Sequence, residues 1–331
     1  MAGQLPSYPF PGDGPVQVVV VRPARRRYWL HALLLIATIF STLVVGARLE
    51  FNFLVNHPAF SPDEIFPLAW VLERPSRLLL GFPFSATLML ILLAHEMGHF
   101  VYCKRYGVRA TLPFFLPAPT LIGTLGAFIR IKSPIPSREA LFDIGIAGPI
   151  AGFVIALPAL ALGMWLSRPE PLVATASEPA LGYPAIFQLL WAALPLSNTH
   201  GAPLHEIYFH PVAIAAWVGM FATALNLLPS GQLDGGHIVY AVAPHAHRWI
   251  SRLTVLTLLP LGVLYWLGWL VWGTILMLLG PRHPQIGLYP ELGRGRRILA
   301  LFALLMLVLT FMPAPLPGSL LDVIREYRSL P

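Results

Sequence analysis

His95, Glu96 and His99 stand together in the apolar run 90–102, as His95-Glu96-Met97-Gly98-His99. On a helix the two histidines, four residues apart, project from one face, close enough for both imidazoles to hold one metal ion. Glu96 then lies within reach of a water on that ion, which suits metal-assisted hydrolysis with glutamate as general base. Such groups need a reason to be there, because an acidic side chain at the centre of a membrane helix costs roughly 2.5 to 3.5 kcal/mol on insertion scales.

A second chemically loaded stretch runs from Asn226 through Pro229 and Leu233 to Asp234-Gly235-Gly236. Two glycines after a carboxylate permit close backbone approach, so Asp234 is a candidate third ligand. Catalytic zinc takes three protein ligands and leaves one position open, and His95, His99 and Asp234 supply such a set, for one zinc per chain. Bound zinc would bring a water towards pKa ~7, and Glu96 would take its proton during attack on a peptide carbonyl and pass it to the leaving amine. Asn226 has two readings: its amide donates to the developing oxyanion, or it braces the following turn. His237, His245 and His247 compete as ligands. His237 reads as a neighbour of the metal ligands or as facing water, and His245 and His247, in a basic turn, as interface anchors.

These residues must be positioned by membrane elements. Of 331 residues 56% are hydrophobic and 11% charged, with a mean hydropathy of +0.69. Soluble domains carry roughly 25% charged residues, so the chain reads as an integral membrane protein. The net charge of +7 arises from arginines beside apolar runs, which are topology signals and not a nucleic-acid patch. A single cysteine, Cys103, excludes an intramolecular disulfide and a C-x-x-C zinc site.

Residues 1–28 read as a flexible cytoplasmic tail without a cleavable signal peptide. Arg22, Arg25, Arg26 and Arg27 before the apolar run 29–47 put the amino terminus inside. The run 78–102 returns to Lys104, Arg105 and Arg109, which sets His95 and His99 about 7 to 14 Å beneath the cytoplasmic surface at ~1.5 Å per residue. Residues 110–139 are Pro-rich, then alternate over 127–132. They read as a re-entrant or interfacial loop with a strand edge, Gly126, Ala127, Phe128, Ile129 and Arg130, onto which an extended substrate could add as a strand. A plain connecting loop is the other reading. Run 141–166 crosses outward, its Gly145, Gly148 and Gly152 read as packing positions. Residues 167–208 form an outer loop whose Glu170, Glu178, His200, His205 and Glu206 lack metal-ligand spacing. Run 211–228 crosses inward. Residues 250–280 fit two short helices breaking near Gly268 better than one tilted helix, because two keep Arg282, Arg294, Arg296 and Arg297 inside. Run 298–312 is short for a crossing, and 313–331 reads as a tail. The expected fold is all-α: a polytopic transmembrane helix bundle of about 6–8 segments over residues 29–312, with a re-entrant or short β element after the histidine helix.

Taken together, His95-Glu96-Met97-Gly98-His99 and Asn226-Leu227-Leu228-Pro229-Ser230-Gly231-Gln232-Leu233-Asp234-Gly235-Gly236 resemble the HExxH and NxxPxxxLDGG patterns of the site-2 protease family of intramembrane zinc metalloproteases. The portion from Gly126-Ala127-Phe128-Ile129-Arg130 through Ile146-Ala147-Gly148-Pro149 looks like the branch holding the chloroplast EGY proteins and bacterial members. The resemblance spans roughly residues 78–312. It implies zinc on His95, His99 and Asp234, catalysis by Glu96 with Asn226 assisting, and cleavage of transmembrane protein substrates in regulated intramembrane proteolysis. Many members carry a PDZ or CBS domain, and no stretch here is long and polar enough for either. The amino terminus lacks the Ser-rich, acid-poor character of a transit peptide, so the expected home is a bacterial cytoplasmic membrane. A metal transporter lined by these histidines and acids, and an inactive membrane scaffold, are the competing functions.

Overall fold

The computed structural model describes residues 28–60, 65–169, 181–194, 202–280 and 291–329. The tail expected over 1–28, apart from Tyr28, lies outside these residues, as do Glu170, Glu178, His200 and Arg282.

Helices follow the apolar runs and often outlast them. Helix α1 (Tyr28–Val55) continues past residue 47 because its polar last turns find partners: Arg48 lies over the Trp70 ring at 4.9 Å, and Asn52 donates to the Pro58 carbonyl at 2.7 Å. A short helix α2 (Leu68–Glu73) and a 3₁₀ turn (Pro75–Gly81) lead into α3 (Phe82–Arg105), with proline in its first turn, where a missing N–H costs nothing. The buried stripe of α3 runs Leu88, Ile91, Leu92, His95, Glu96, His99, Cys103, so steps of three and four put the polar groups on the core face.

Strands β1 (Phe114–Pro117) and β2 (Thr124–Phe128) then form an antiparallel hairpin, with Phe114 opposite Phe128 and Phe115 opposite Ala127. The strand expected over 127–132 thus begins earlier, and Ile129 and Arg130 lie beyond β2, extended by an isolated bridge between Ala110 and Ile131. The turn end of the hairpin rests on the middle of α1, where Ser41 donates to the Gly123 carbonyl at 2.5 Å.

Ser137 caps α4 (Arg138–Leu166) by accepting from the Ala140 amide, and the helix runs through Pro149 and Pro158. A two-residue strand β3 (Arg168–Pro169) pairs antiparallel with β4 (Ile207–Tyr208), and α5 (Ala185–Ala193) lies between them in sequence. Helix α6 (Pro211–Leu227) is apolar and buried nearly all round, packed between α3, α4 and α10 (Arg294–Thr310). After α7 (Asp234–Val242), two helices, α8 (Pro244–Leu264) and α9 (Gly268–Leu279), fill residues 244–279, with the break before Gly268. The stretch expected as a carboxyl-terminal tail carries a further helix, α11 (Leu320–Ser329).

Among the described residues three segments are long and apolar enough to cross a membrane: Tyr28–Val55, Pro75–Arg105 and Arg138–Leu166. Helices α6 and α9 are apolar but shorter, so fewer than the expected 6–8 segments meet that length. In lipid, apolar burial supplies little drive for helix association, and close backbone approach takes its place. The α3–α4 contact shows it: a Cβ on Gly98 would lie 2.4 Å from the Ala147 carbonyl oxygen.

The polar end of the bundle is tied by Arg296 on α10. Its guanidinium is bidentate on Asp143, with Nε and an amino nitrogen each 2.9 Å from an oxygen, and its other amino group reaches Glu139 at 2.5 Å. Tyr106, just past α3, donates to the same Asp143. One side chain therefore joins α10 to the first turns of α4 and the end of α3. Arg296→Ala should lower stability by about 1.5 to 3 kcal/mol, the range for hydrogen bonds to charged groups, with Arg296→Lys recovering only part of it. Thermal unfolding of the detergent-solubilised protein measures this, and an unchanged midpoint in Arg296→Ala would contradict it.

Candidate metal centre

Helix α3 delivers His95 and His99 from adjacent turns, and α7 delivers Asp234 at its first residue. The three donor atoms form a nearly equilateral triangle. His95 Nε2 is 3.2 Å from His99 Nε2, and each of these nitrogens is 3.2 Å from Asp234 Oδ2. No other group of three or more His, Cys, Asp or Glu side chains among the described residues has this convergence.

Hydrogen bonding fixes the chemistry of one imidazole. His99 Nδ1 lies 2.7 Å from the Ile144 carbonyl oxygen, which can only accept, so neutral His99 carries its proton on Nδ1. Its Nε2 lone pair then faces the other two donors. Electron pairs turned towards one point are unfavourable without a cation between them. Zinc ligands at ~2.0–2.1 Å in a tetrahedron stand about 3.4 Å apart, close to the observed edges. The donor set, two imidazoles and a carboxylate, therefore fits zinc in composition and spacing.

The room for this triangle comes from α4. A Cβ on Gly148 would sit 2.1 Å from His99 Nε2, and one on Gly152 would press on the His95 ring at 3.2 Å. These two glycines are more than packing positions, since the imidazoles occupy the space their side chains would fill. Gly145 meets His237 instead, which is half-buried.

Asp234 is held by its surroundings on two sides. Gly235 and Gly236 let α7 start directly against the preceding loop, where a Cβ would lie 2.0 Å from the Leu227 carbonyl and 2.5 Å from that of Gly231. Gly231 has φ +55°, a left-handed conformation that glycine adopts freely. Its amide and carbonyl are both taken by α8: Ser251 accepts from the amide at 3.3 Å, and His247 Nε2 lies 3.2 Å from the carbonyl. Thr254 reaches the Pro229 carbonyl at 3.4 Å. His247 is thus buried against the loop and the Tyr240 ring, not an interface anchor, because its imidazole satisfies a backbone carbonyl there. His245 is exposed.

The remaining expected residues divide. Glu96 is 4% exposed, the Ile129 backbone lies near its carboxylate, and it interacts electrostatically with His95, His99 and Asp234. Asn226, at the end of α6, puts its amide nitrogen 3.2 Å from His95 Nε2. Of the edge residues only Ile129 reaches the centre. Gly126, Ala127 and Phe128 lie on β2, with Phe128 stacked on Phe114 at 5.4 Å, and Arg130 is exposed. Sequence reading missed the Ile144 carbonyl and the α8 brace. The brace had a visible signal, the spacing of His247, Ser251 and Thr254 by four and three residues, which puts three polar groups on one face of α8.

Residues 83–264 match the profile of peptidase family M50. The chain is 31% identical over 303 residues to "Probable zinc metalloprotease EGY1, chloroplastic" of Oryza sativa subsp. japonica, covering 87% of this chain and 50% of the relative. It is 30% identical over 309 residues to the protein of the same name from Arabidopsis thaliana, covering 89% and 55%. To "Probable zinc metalloprotease EGY2, chloroplastic" of Arabidopsis thaliana it is 30% identical over 214 residues, covering 64% and 36%. The chain therefore spans about half the length of the EGY1 relatives it matches. These relatives are named as chloroplast proteins, so the comparison lends no support to the bacterial cytoplasmic membrane expected from the sequence.

Gly148→Ala tests the space argument. In an ordinary helix interior the change would stabilise by about 1 kcal/mol, but here it displaces His99. Zinc analysis of the purified variant should fall well below one per chain, while Gly273→Ala, whose Cβ would make an ordinary 3.6 Å contact, should keep its metal. Full zinc in Gly148→Ala would refute the assignment of His99.

Proposed function

The chain belongs to peptidase family M50, and on that footing we propose that it is an intramembrane zinc endopeptidase that hydrolyses peptide bonds of transmembrane protein substrates near the cytoplasmic face. The observation that carries this reading is the convergence of His95, His99 and Asp234, 3.2 Å apart, beside the buried Glu96.

His95, His99 and Asp234 would hold one zinc ion. When bound, zinc polarises a carbonyl and makes water acidic enough to be a nucleophile at neutral pH. The chain's own residues do the rest. Glu96 accepts a proton from the attacking water at its carboxylate and returns it to the amine nitrogen as the C–N bond breaks, so the water is divided between the two products. Its burial keeps competing water away from that carboxylate. The Asn226 amide donates to the oxygen on which negative charge develops, a role supported by its position beside the triangle.

A helical substrate shields its carbonyls by internal hydrogen bonding, so it must be extended before attack. The edge of β2 is suited to hold it. The hairpin leans on mid-α1 through Gly123 and its Ile129 backbone lies near Glu96, which supports a membrane-inserted, re-entrant hairpin that brings an added strand to the catalytic group.

Glu96→Gln should reduce cleavage of a transmembrane test peptide by about a hundred- to ten-thousandfold while one zinc is retained. Asp234→Ala should lose both. Zinc analysis beside a cleavage assay separates the two. Undiminished cleavage in Glu96→Gln would sink the peptidase reading, and zinc-dependent ion flux unaffected by that substitution would favour a transporter.

A further inference from the structure

The charge on the hairpin has no part in the chemistry above. Backbone bonding fixes which edge of its second strand is free. The Lys132 amide donates to Arg109 and the Arg130 carbonyl accepts from Thr111, so these groups turn towards the partner strand. The backbone of Ile129 and Ile131 therefore turns the other way, towards the free edge. Side chains alternate in the same register. Ile129 and Ile131 pack among Cys103, Val108 and Ile144, whereas Arg130 and Lys132 are exposed on the opposite face, with Arg109 exposed beside them across the hairpin.

Among the described residues no carboxylate forms an ion pair with Arg109, Arg130 or Lys132; Glu139 and Asp143, at the start of α4, are engaged by Arg296. The positive-inside tendency accounts for Lys104 and Arg105 at a helix end. It does not require cations in alternation along the edge beside Glu96.

Building on the peptidase reading, we propose that this face selects substrates carrying acidic residues two positions apart on the flank that leaves Ile129 towards Lys132. A strand added to the free edge lays every second side chain on the face of Arg130 and Lys132, where opposite charges on neighbouring strands attract. An anionic lipid surface would meet the same cations but would be indifferent to the peptide's sequence.

The experiment uses full-length, zinc-loaded protein and two transmembrane peptides identical except for Glu-x-Glu or Lys-x-Lys in that flank. Binding is measured on the Glu96→Gln protein and cleavage on the protein with native Glu96. The acidic peptide should be favoured roughly three- to tenfold in both. The preference should invert in Arg130→Glu/Lys132→Glu and level out in the milder Arg130→Ala/Lys132→Ala, with zinc content unchanged. Equal handling of both peptides by the native residues, or an equal loss on both in the variants, overturns the acidic flank. Selective binding without cleavage of either peptide keeps the flank and overturns the peptidase reading.

Discussion

A carboxylate and two imidazole nitrogens held 3.2 Å from one another inside an apolar bundle is the constraint around which the structure is arranged. Buried polar groups of this kind are costly unless they are paired or gathered on a cation, so everything nearby has to keep them converged. Each of the three arrives on a different part of the chain or a different helical turn. Two come from α3, where helical spacing alone brings them together, and the third from α7, some 140 residues later.

Helix α4 does most of the holding without contributing a ligand. Its Ile144 carbonyl sets the tautomer of His99, its glycines leave space for both imidazoles, and its close approach to Gly98 fixes how far α3 can rotate. Arg296 then ties the same end of α4 to α10 through Asp143, the residue before Ile144. On the opposite side α8 grips the left-handed Gly231 by both of its backbone groups, which sets where α7 begins and hence where Asp234 stands. The geometry is over-determined from both sides, as the proposed metal centre would require of ligands that come from distant segments.

The hairpin between α3 and α4 has a different character. It is short, two-stranded and open along one edge, with its turn against α1 and its base among exposed cations. An unpaired edge ordinarily invites unwanted pairing. Here the open edge passes near Glu96, so the unpaired backbone that is a liability elsewhere lies where the proposed reaction needs an extended peptide.

From its sequence alone the protein was readable as a helical membrane protein whose His95 and His99 share one helix face, because composition and the four-residue period are local properties. The two motifs also pointed to Asp234 and to the site-2 protease resemblance. Their convergence was not readable, since it depends on how α7 is seated by the 227–233 loop and by α8. Nor was the role of His247, which sequence context assigned to an interface and packing assigned to a buried carbonyl. The extent of β2, which depends on pairing with β1, likewise follows from contacts between distant segments. A period in the sequence determines which side of a helix is apolar; only tertiary packing decides what that side meets, because the partner atoms lie on other parts of the chain.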